Sequence, residues 1–169
     1  EQAAESVKRL EARDSAFFHR SLPSSQRWRM YPEFMARAAF LDIETTGLSP
    51  GSSITTMVGI LDNDGFTAYV RGDNFDELDT ALDRYEVLVT FNGASFDLPF
   101  LVSEFPEIRS KLDQLAHIDL RYPLKRAGYT GGLKKIEQRT GLGRKSSLSE
   151  LSGADAVTLW KMAQEGEPD

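Results

Sequence analysis

The sequence contains no cysteine, and only two of its 169 residues are histidine. The absence of cysteine excludes a disulfide scaffold, a thiolate metal site and a cysteine nucleophile, and the scarcity of histidine disfavours a metal site built from several imidazoles. Apolar runs are only a few residues long, far short of the roughly 20 that a membrane span requires. The charged N-terminus is unlike a signal peptide. These features predict a soluble, cytoplasmic and monomeric protein with no membrane partner.

The composition is that of an ordinary globular protein, since 40% of the residues are hydrophobic and 27% are charged. A net charge of −6 taken alone disfavours a nucleic-acid partner. The charge is unevenly distributed, however, because residues 121–145 carry eight basic residues and a single acidic one, Glu137. This basic segment either neutralises the phosphates of a polyanion or forms a solvated helical face.

The chain is expected to have three parts: an extension at 1–37, one domain at 38–165 and a tail at 166–169. Helical spacing that ends at Leu22-Pro23 predicts a helical extension. Hydrophobic patterns in the domain predict the order β-β-β-α-β-α-β-α-α. Short connections favour an antiparallel meander of the first three strands, and intervening helices favour parallel addition of the last two. We expect an α/β fold with a mixed five-stranded sheet and helices on both faces.

Acidic residues stand at three places where they are able to form a metal site. Asp42 and Glu44 flank Ile43 in a predicted strand, so their carboxylates share one face. Asp97 lies at the predicted start of a helix, and Asp155 belongs to the last helix. Mg²⁺ or Mn²⁺ would relieve the repulsion between such carboxylates, because these ions prefer oxygen ligands. Each position taken alone also fits an ordinary role: a solvated strand end, an N-cap or a first-turn acid.

The acids lie in the segments FLDIETTGL (40–48) and VTFNGASFDLPFL (89–101) and at Asp155. These three features resemble the three motifs of the DEDD superfamily of 3′–5′ exonucleases, which have an RNase H-like fold. The second segment is especially similar to the proofreading domains of family B DNA polymerases. The sequences HIDL (117–120) and GLKKIE (132–137) are similar to segments that follow the second motif in bacterial RNase H-like proteins predicted to be exonucleases. The resemblance spans residues 38–162.

The resemblance implies hydrolysis of phosphodiester bonds in single-stranded DNA or RNA, assisted by two Mg²⁺ or Mn²⁺ ions. Asp42 would bridge both ions, Glu44 and Asp155 would hold the ion on the nucleophile side, and Asp97 would bind the other. The residues implied to contact the substrate are Thr45, Thr46, Gly47, Leu48, Asn92 and Phe96. The basic segment adds three candidate phosphate contacts, Lys134, Lys135 and Arg144.

The sequence departs from the family pattern just before Asp155. The family has a Tyr four residues before the last Asp, or a His five residues before it, to orient the attacking water. Leu151 and Glu150 occupy those positions here, which leaves Glu150 as the candidate base. Three functions therefore stay open: a 3′–5′ exonuclease, a catalytically weak or silent nucleic-acid-binding module, and a structure-specific endonuclease on the same fold.

Overall fold

The structure is a computed structural model that describes residues 2–142 and 153–165. Its strands are β1 (Ala38–Thr45), β2 (Thr55–Asp62), β3 (Gly65–Val70), β4 (Val87–Thr90) and β5 (Ala116–Asp119). Its α-helices are α1 (Gln2–Glu11), α2 (Ser15–Ser21), α3 (Tyr31–Phe34), α4 (Leu78–Leu82), α5 (Asp97–Glu104), α6 (Arg109–Gln114), α7 (Arg121–Arg126), α8 (Leu133–Thr140) and α9 (Gly153–Glu165). None of the helices in these ranges combines the length and the apolar character needed to cross a bilayer. The predicted tail, 166–169, lies outside the described residues.

The strands form one mixed sheet in the order β3-β2-β1-β4-β5. The first three pair antiparallel, whereas β4 lies parallel to β1 and β5 lies parallel to β4. A tight turn joins β2 to β3, and Gly65 takes the positive φ of 127° that this turn requires. Parallel pairs need crossover connections, which α4 and the segment containing α5 and α6 provide. The predicted mixed five-stranded sheet, with three antiparallel strands followed by two parallel ones, is confirmed.

Alternation along β1 places an apolar core on each face of the sheet. Ala39, Leu41 and Ile43 point to one face, where they pack with side chains of α4, α5 and α6, including the fully buried Phe100. Ala38 points to the opposite face and belongs to a second cluster built on β4 and β5. The sheet is therefore the middle layer of the fold, and the positions that alternate with Leu41 and Ile43 on β1 are those that carry the acids.

The N-terminal extension completes the second core. Phe34 is 1% exposed and packs with Val87 and Ile118 of the sheet. The ring of His19 accepts a hydrogen bond at Nδ1 from the backbone N–H of His117, at 2.9 Å. Burial, and the nearby positive charge of Arg27, lower the pKa of His19, which favours the neutral ring that this acceptor role needs. The extension is thus a packed layer of the fold, joined to the edge of β5.

The structure differs from the predicted element order at three places, one of which is that three helices (α7, α8 and α9) rather than two follow β5. The helical segment of the extension is divided into α1 and α2, because Asp14 accepts a hydrogen bond from the amide of Phe17 at 2.9 Å and caps the second helix. Arg13, just before this cap, takes a positive φ of 52°. Helix α6 was not predicted, and its Leu112 is buried in the first core.

Candidate acidic active site

Alternation in β1 places two carboxylates on one face of the sheet. Asp42 is exposed and Glu44 is half-buried, whereas Leu41 and Ile43 are buried in the core on the opposite face. The apolar side chains fix the orientation of the strand, because turning it over would expose them to water. Asp42 and Glu44 are therefore held side by side.

The edge of β1 next to these acids is not covered by a strand. Strand β4 pairs with only the first three residues of β1 and ends at Thr90. The loop that follows and the first turn of α5 lie along this edge instead. They bring Asp97, which is 3% exposed, beside Asp42 and against the backbone of Ile43. Asp97 is the first residue of α5 and Phe96 is its N-cap, so Asp97 does not have the capping role that the sequence also allowed.

The negative charges of Asp42 and Asp97 are unfavourable together in the folded protein. Burial, followed by the charge of Asp42, raises the pKa of Asp97 from 3.8 to about 7, and Asp119 contributes a smaller rise. Backbone hydrogen bonds at Asp97 and Ile43 act in the opposite direction but do not offset these effects. Near neutral pH the site therefore favours a proton or a cation beside Asp97.

The loop between β4 and α5 is anchored by Asp119, which was not predicted as a site residue. Asp119 ends β5, is 4% exposed, and accepts hydrogen bonds from the amides of Asn92 (2.8 Å) and Ala94 (3.1 Å). Arg121 donates a hydrogen bond to the side-chain oxygen of Asn92. The backbone of Asn92 takes a left-handed φ of 68°, which asparagine tolerates. An acidic residue at the end of an apolar strand was the sequence signal that would have identified this anchor.

A buried hydroxyl holds the start of the same loop. Thr90 Oγ1 accepts a hydrogen bond from the amide of Gly93 at 3.1 Å and lies 2.9 Å from His117 Nε2. His117 is buried, and this burial lowers its pKa to about 4. The imidazole is therefore neutral near pH 7 and has a structural role. A Cβ atom on Gly93 would lie only 2.6 Å from Cβ of Thr90, so the loop requires glycine at this position.

A recess of about 380 Å³ lies next to Glu44 at the end of β1. It brings together Glu44, Thr45, Thr46, Gly47, Leu48 and Phe96, all of which are residues of the predicted site, with Val157 of α9. Thr45 Oγ1 donates to the carbonyl of Gly47 at 2.6 Å, and Thr46 Oγ1 accepts from the amide of Ile54 at 3.0 Å, so both hydroxyls stabilise the turn. Leu48 is 84% exposed and presents an apolar surface at the rim.

Asp155 lies in the first turn of α9 and is exposed. Helix α9 packs beside β1, and its Val157 shares the recess with Glu44. Trp160, one turn further along the same helix, donates a hydrogen bond to the carbonyl of Arg71 at 3.3 Å. The structure therefore places Asp155 on the helix adjacent to the acidic edge, while Asp42 is near enough to Asp97 for its charge to raise the pKa of Asp97.

Two of the predicted phosphate contacts, Lys134 and Lys135, are exposed on α8. Leu133 of this helix lines a groove of about 370 Å³ together with Asp42 and Glu44. Helix α8 thus borders the acidic face. Arg144 and the candidate base Glu150, with Leu151, lie outside the described residues.

A family model described as the RNase H superfamily matches residues 39–168, which is most of the chain. The chain belongs to the RNase H superfamily. The match starts in β1 and contains both acidic motifs, and the predicted RNase H-like fold is confirmed. No curated protein sequence matches the chain.

Solved structures share the RNase H-like fold at low sequence identity. The family B DNA polymerase from the archaeon Pyrobaculum calidifontis is 17% identical with a TM-score of 0.56, over 73% of this chain and 21% of the polymerase. RNase D from Escherichia coli, an exoribonuclease involved in structured RNA processing, is 15% identical with a TM-score of 0.51, over 78% of this chain and 34% of RNase D. This chain therefore spans about a fifth of the polymerase and a third of RNase D, and the likeness establishes the fold.

The acidic edge of this RNase H superfamily member suits a divalent metal ion chemically. Its donors are carboxylate oxygens, which Mg²⁺ and Mn²⁺ prefer. A cation beside Asp97 would remove the repulsion that now favours the protonated acid. Within residues 2–142 and 153–165, however, no three Asp, Glu or His side chains already surround one point as ligands. The predicted ligand set, Asp42, Glu44, Asp97 and Asp155, therefore stays a prediction.

Proposed function

We propose that the chain is a divalent-metal-dependent nuclease that removes nucleotides from the 3′ end of single-stranded DNA or RNA. The observation that carries this proposal is the buried Asp97, held at the open edge of β1 against the backbone of Ile43 and close enough to Asp42 for the two charges to repel each other. A carboxyl group with so strongly raised a pKa costs stability, and such groups concentrate at functional sites. Exonuclease folds among the solved structures are consistent with this function.

The acids Asp42, Glu44, Asp97 and Asp155 would hold the metal ions, Mg²⁺ or Mn²⁺. When bound, two such ions activate a water molecule and stabilise the charge on the departing oxygen. The chain itself positions the strand: the turn that Thr45 and Thr46 stabilise lies beside the terminal sugar. Leu48 and Phe96 contact the terminal base through apolar surface. The loop anchored by Asp119 holds Asp97 in place.

The proposal is tested by incubating the full chain with Mn²⁺ and linear single strands of DNA and RNA that carry a label at the 5′ end. We expect a ladder of labelled products that shorten from the 3′ end, loss of hydrolysis in EDTA, and no cleavage of a circular single strand. Asp42→Asn serves as the inactive variant. Asp113→Asn, which removes an exposed carboxylate of α6, is the matched control and should behave as the wild type.

Three results would contradict this assignment in different ways. Cleavage of the circular strand would identify an endonuclease. Equal hydrolysis by the wild type and Asp42→Asn would mean that the acids on β1 do not carry the reaction. Binding of the strand with no hydrolysis in Mn²⁺ or Mg²⁺ would identify a silent binding module.

Metal binding should also be visible without substrate, as a pH-dependent rise in the thermal unfolding midpoint. At pH 8, Mn²⁺ at about 100 times its Kd should raise Tm by roughly 5–10 °C, because it binds only the folded state. At pH 5 the rise should be much smaller, since Asp97, with a pKa of about 7, then holds a proton that competes with the metal. Differential scanning fluorimetry measures both values. An equal rise in Asp42→Asn would show that Mn²⁺ binds elsewhere.

A further inference from the structure

A second recess, of about 450 Å³, lies beside Asn92 and is separate from the recess at Glu44. Its walls come from the two residues that follow β4, from α7, from the connection between α7 and α8, and from Ile136 of α8. Two cations, Arg121 and Lys125, line it together with the aromatic rings of Phe91 and Tyr129. Among residues 2–142 and 153–165, no acidic side chain is part of this lining. We call it the cationic pocket.

The cationic pocket keeps its positive charge within the part of the chain that the structure describes. Within the two described ranges, no ion pair involves Arg121 or Lys125, whereas other basic side chains, such as Arg13 and Lys111, are paired with carboxylates. Arg121 donates to the neutral side-chain oxygen of Asn92. An anion in the pocket would therefore meet cations that are not paired with a carboxylate of the described residues.

The shape of the pocket suits a phosphate that is attached to larger groups. At Gly132 no atom lies within 4 Å of the position that a Cβ would take, so the wall there is open. The guanidinium of Arg139 lies 5.0 Å from the ring centre of Tyr129, which supports that ring from outside the pocket lining. Rings of this kind offer a surface for a sugar or a base next to the phosphate.

The cationic pocket adjoins the acidic face. Phe91 lines the pocket and also the groove that contains Asp42 and Glu44. Asn92, at the rim of the pocket, belongs to the loop that positions Asp97 and is held by Asp119. One extended chain of a polyanion is therefore able to contact the acids and the pocket together.

Building on the proposed nuclease function, we propose that the cationic pocket binds a backbone phosphate of the single strand, upstream of the nucleotide at the acids. Lys125 and Arg121 neutralise the phosphate, and Phe91 and Tyr129 pack on the adjoining sugar or base. The pocket would hold the strand in the direction that places its 3′ end at Asp42 and Asp97.

The test measures binding of single strands, without cleavage, by the full chain. Fluorescence anisotropy in EDTA follows a labelled oligo(dT) and a labelled oligo(U) of about ten nucleotides each. Lys125→Gln should weaken binding about three- to tenfold, and the slope of log K against log salt should become less steep by about 0.7. Lys125→Arg should bind within about twofold of the wild type. The matched control is Arg126→Gln, because Arg126 is exposed on the same helix but does not line the pocket.

The outcomes separate this inference from the proposed function. If Lys125→Gln and Arg126→Gln weaken binding equally, the proposal that the cationic pocket binds a phosphate is wrong, even if the wild type hydrolyses strands. If only Lys125→Gln binds more weakly and the wild type does not hydrolyse strands in Mn²⁺, phosphate binding by the pocket is supported and the proposed nuclease function is wrong. A wild type that neither binds nor hydrolyses single strands would overturn both.

Discussion

Replacing Asp97 with Asn should make the folded protein more stable and should abolish most of its nuclease activity. Asn has nearly the same shape as Asp but carries no charge, so it removes the repulsion with Asp42. In EDTA at pH 8, we expect the free energy of unfolding to rise by about 3 kcal/mol, since the pKa of Asp97 is raised from 3.8 to about 7. Urea denaturation of both proteins measures this difference.

The gain in the free energy of unfolding of Asp97→Asn should increase with pH. Because the pKa of Asp97 is raised by folding, its contribution to stability is full below pH 4 and is lost as the pH rises towards 7. The variant should therefore differ little from the wild type at pH 4 and most at pH 8. Asp113→Asn, which removes an exposed charge, should show no such trend. A difference that stays constant between pH 4 and pH 8 would contradict the role of the Asp97 charge.

His117 makes the free energy of unfolding depend on pH in the opposite direction. A pH series on the wild type alone therefore does not reveal the contribution of Asp97. Burial lowers the pKa of His117 from 6.5 to about 4, and the unfolded chain therefore takes up a proton first as the pH falls. This contribution to stability is lost between pH 6.5 and pH 4, where the contribution of Asp97 is gained. In Asp97→Asn the effect of His117 remains, the lowered pKa of His19 acts in the same direction, and stability should fall steeply with acid over this range.

The nuclease activity of Asp97→Asn should fall by at least about 10³-fold, because loss of a carboxylate metal ligand removes several kcal/mol of transition-state stabilisation. The measurement is the initial rate of hydrolysis of a linear single strand in saturating Mn²⁺. Activity near the wild-type value in a variant that has gained stability would show that Asp97 is a structural acid.

The second large effect is expected for Gly93→Ala. The added methyl group would lie 2.6 Å from Cβ and 2.8 Å from Cγ2 of Thr90, and real contacts are never this short. Thr90 is 3% exposed and its hydroxyl is bonded to Gly93 and close to His117, so it has no room to move. We expect a loss of about 2–4 kcal/mol in stability from the combined overpacking and broken hydrogen bonds.

Gly93→Ala should also reduce hydrolysis, because Gly93 precedes Asp97 in the loop that sets the position of that acid. For stability alone, Gly132→Ala is the matched control, since nothing lies within 4 Å of its added Cβ, and it should cost less than about 1 kcal/mol; it is no control for hydrolysis, because Gly132 belongs to the wall of the cationic pocket. Adding Thr90→Ala to Gly93→Ala should cost less than the sum of the two single changes, because part of the clash is then removed. Simple additivity would argue against the contact with Thr90.

Local patterns were sufficient to predict the five strands and whether they pair antiparallel or parallel. Apolar runs such as ITTMVGIL (54–61) and EVLVTF (86–91) correspond to β2 and β4, and the length of each connection decided between antiparallel and parallel pairing. The division of the extension at Arg13 and Asp14 was not predicted, because a capping side chain there competes with helical spacing that continues on both sides. Packing of the extension on β5 was also not predicted, since it joins residues such as His19 and His117 that are distant in sequence.

The amino-acid order alone determined that Asp42 and Glu44 share a face, because side-chain alternation in a strand is a property of the local backbone. Only the tertiary structure decided that Asp97 lies near Asp42, since this depends on β4 ending before β1 does. The anchoring of the loop by Asp119, and the cationic pocket beside it, depend likewise on the pairing of β4 with β5. Strand register and loop packing join residues far apart in the chain, and no local periodicity encodes such contacts.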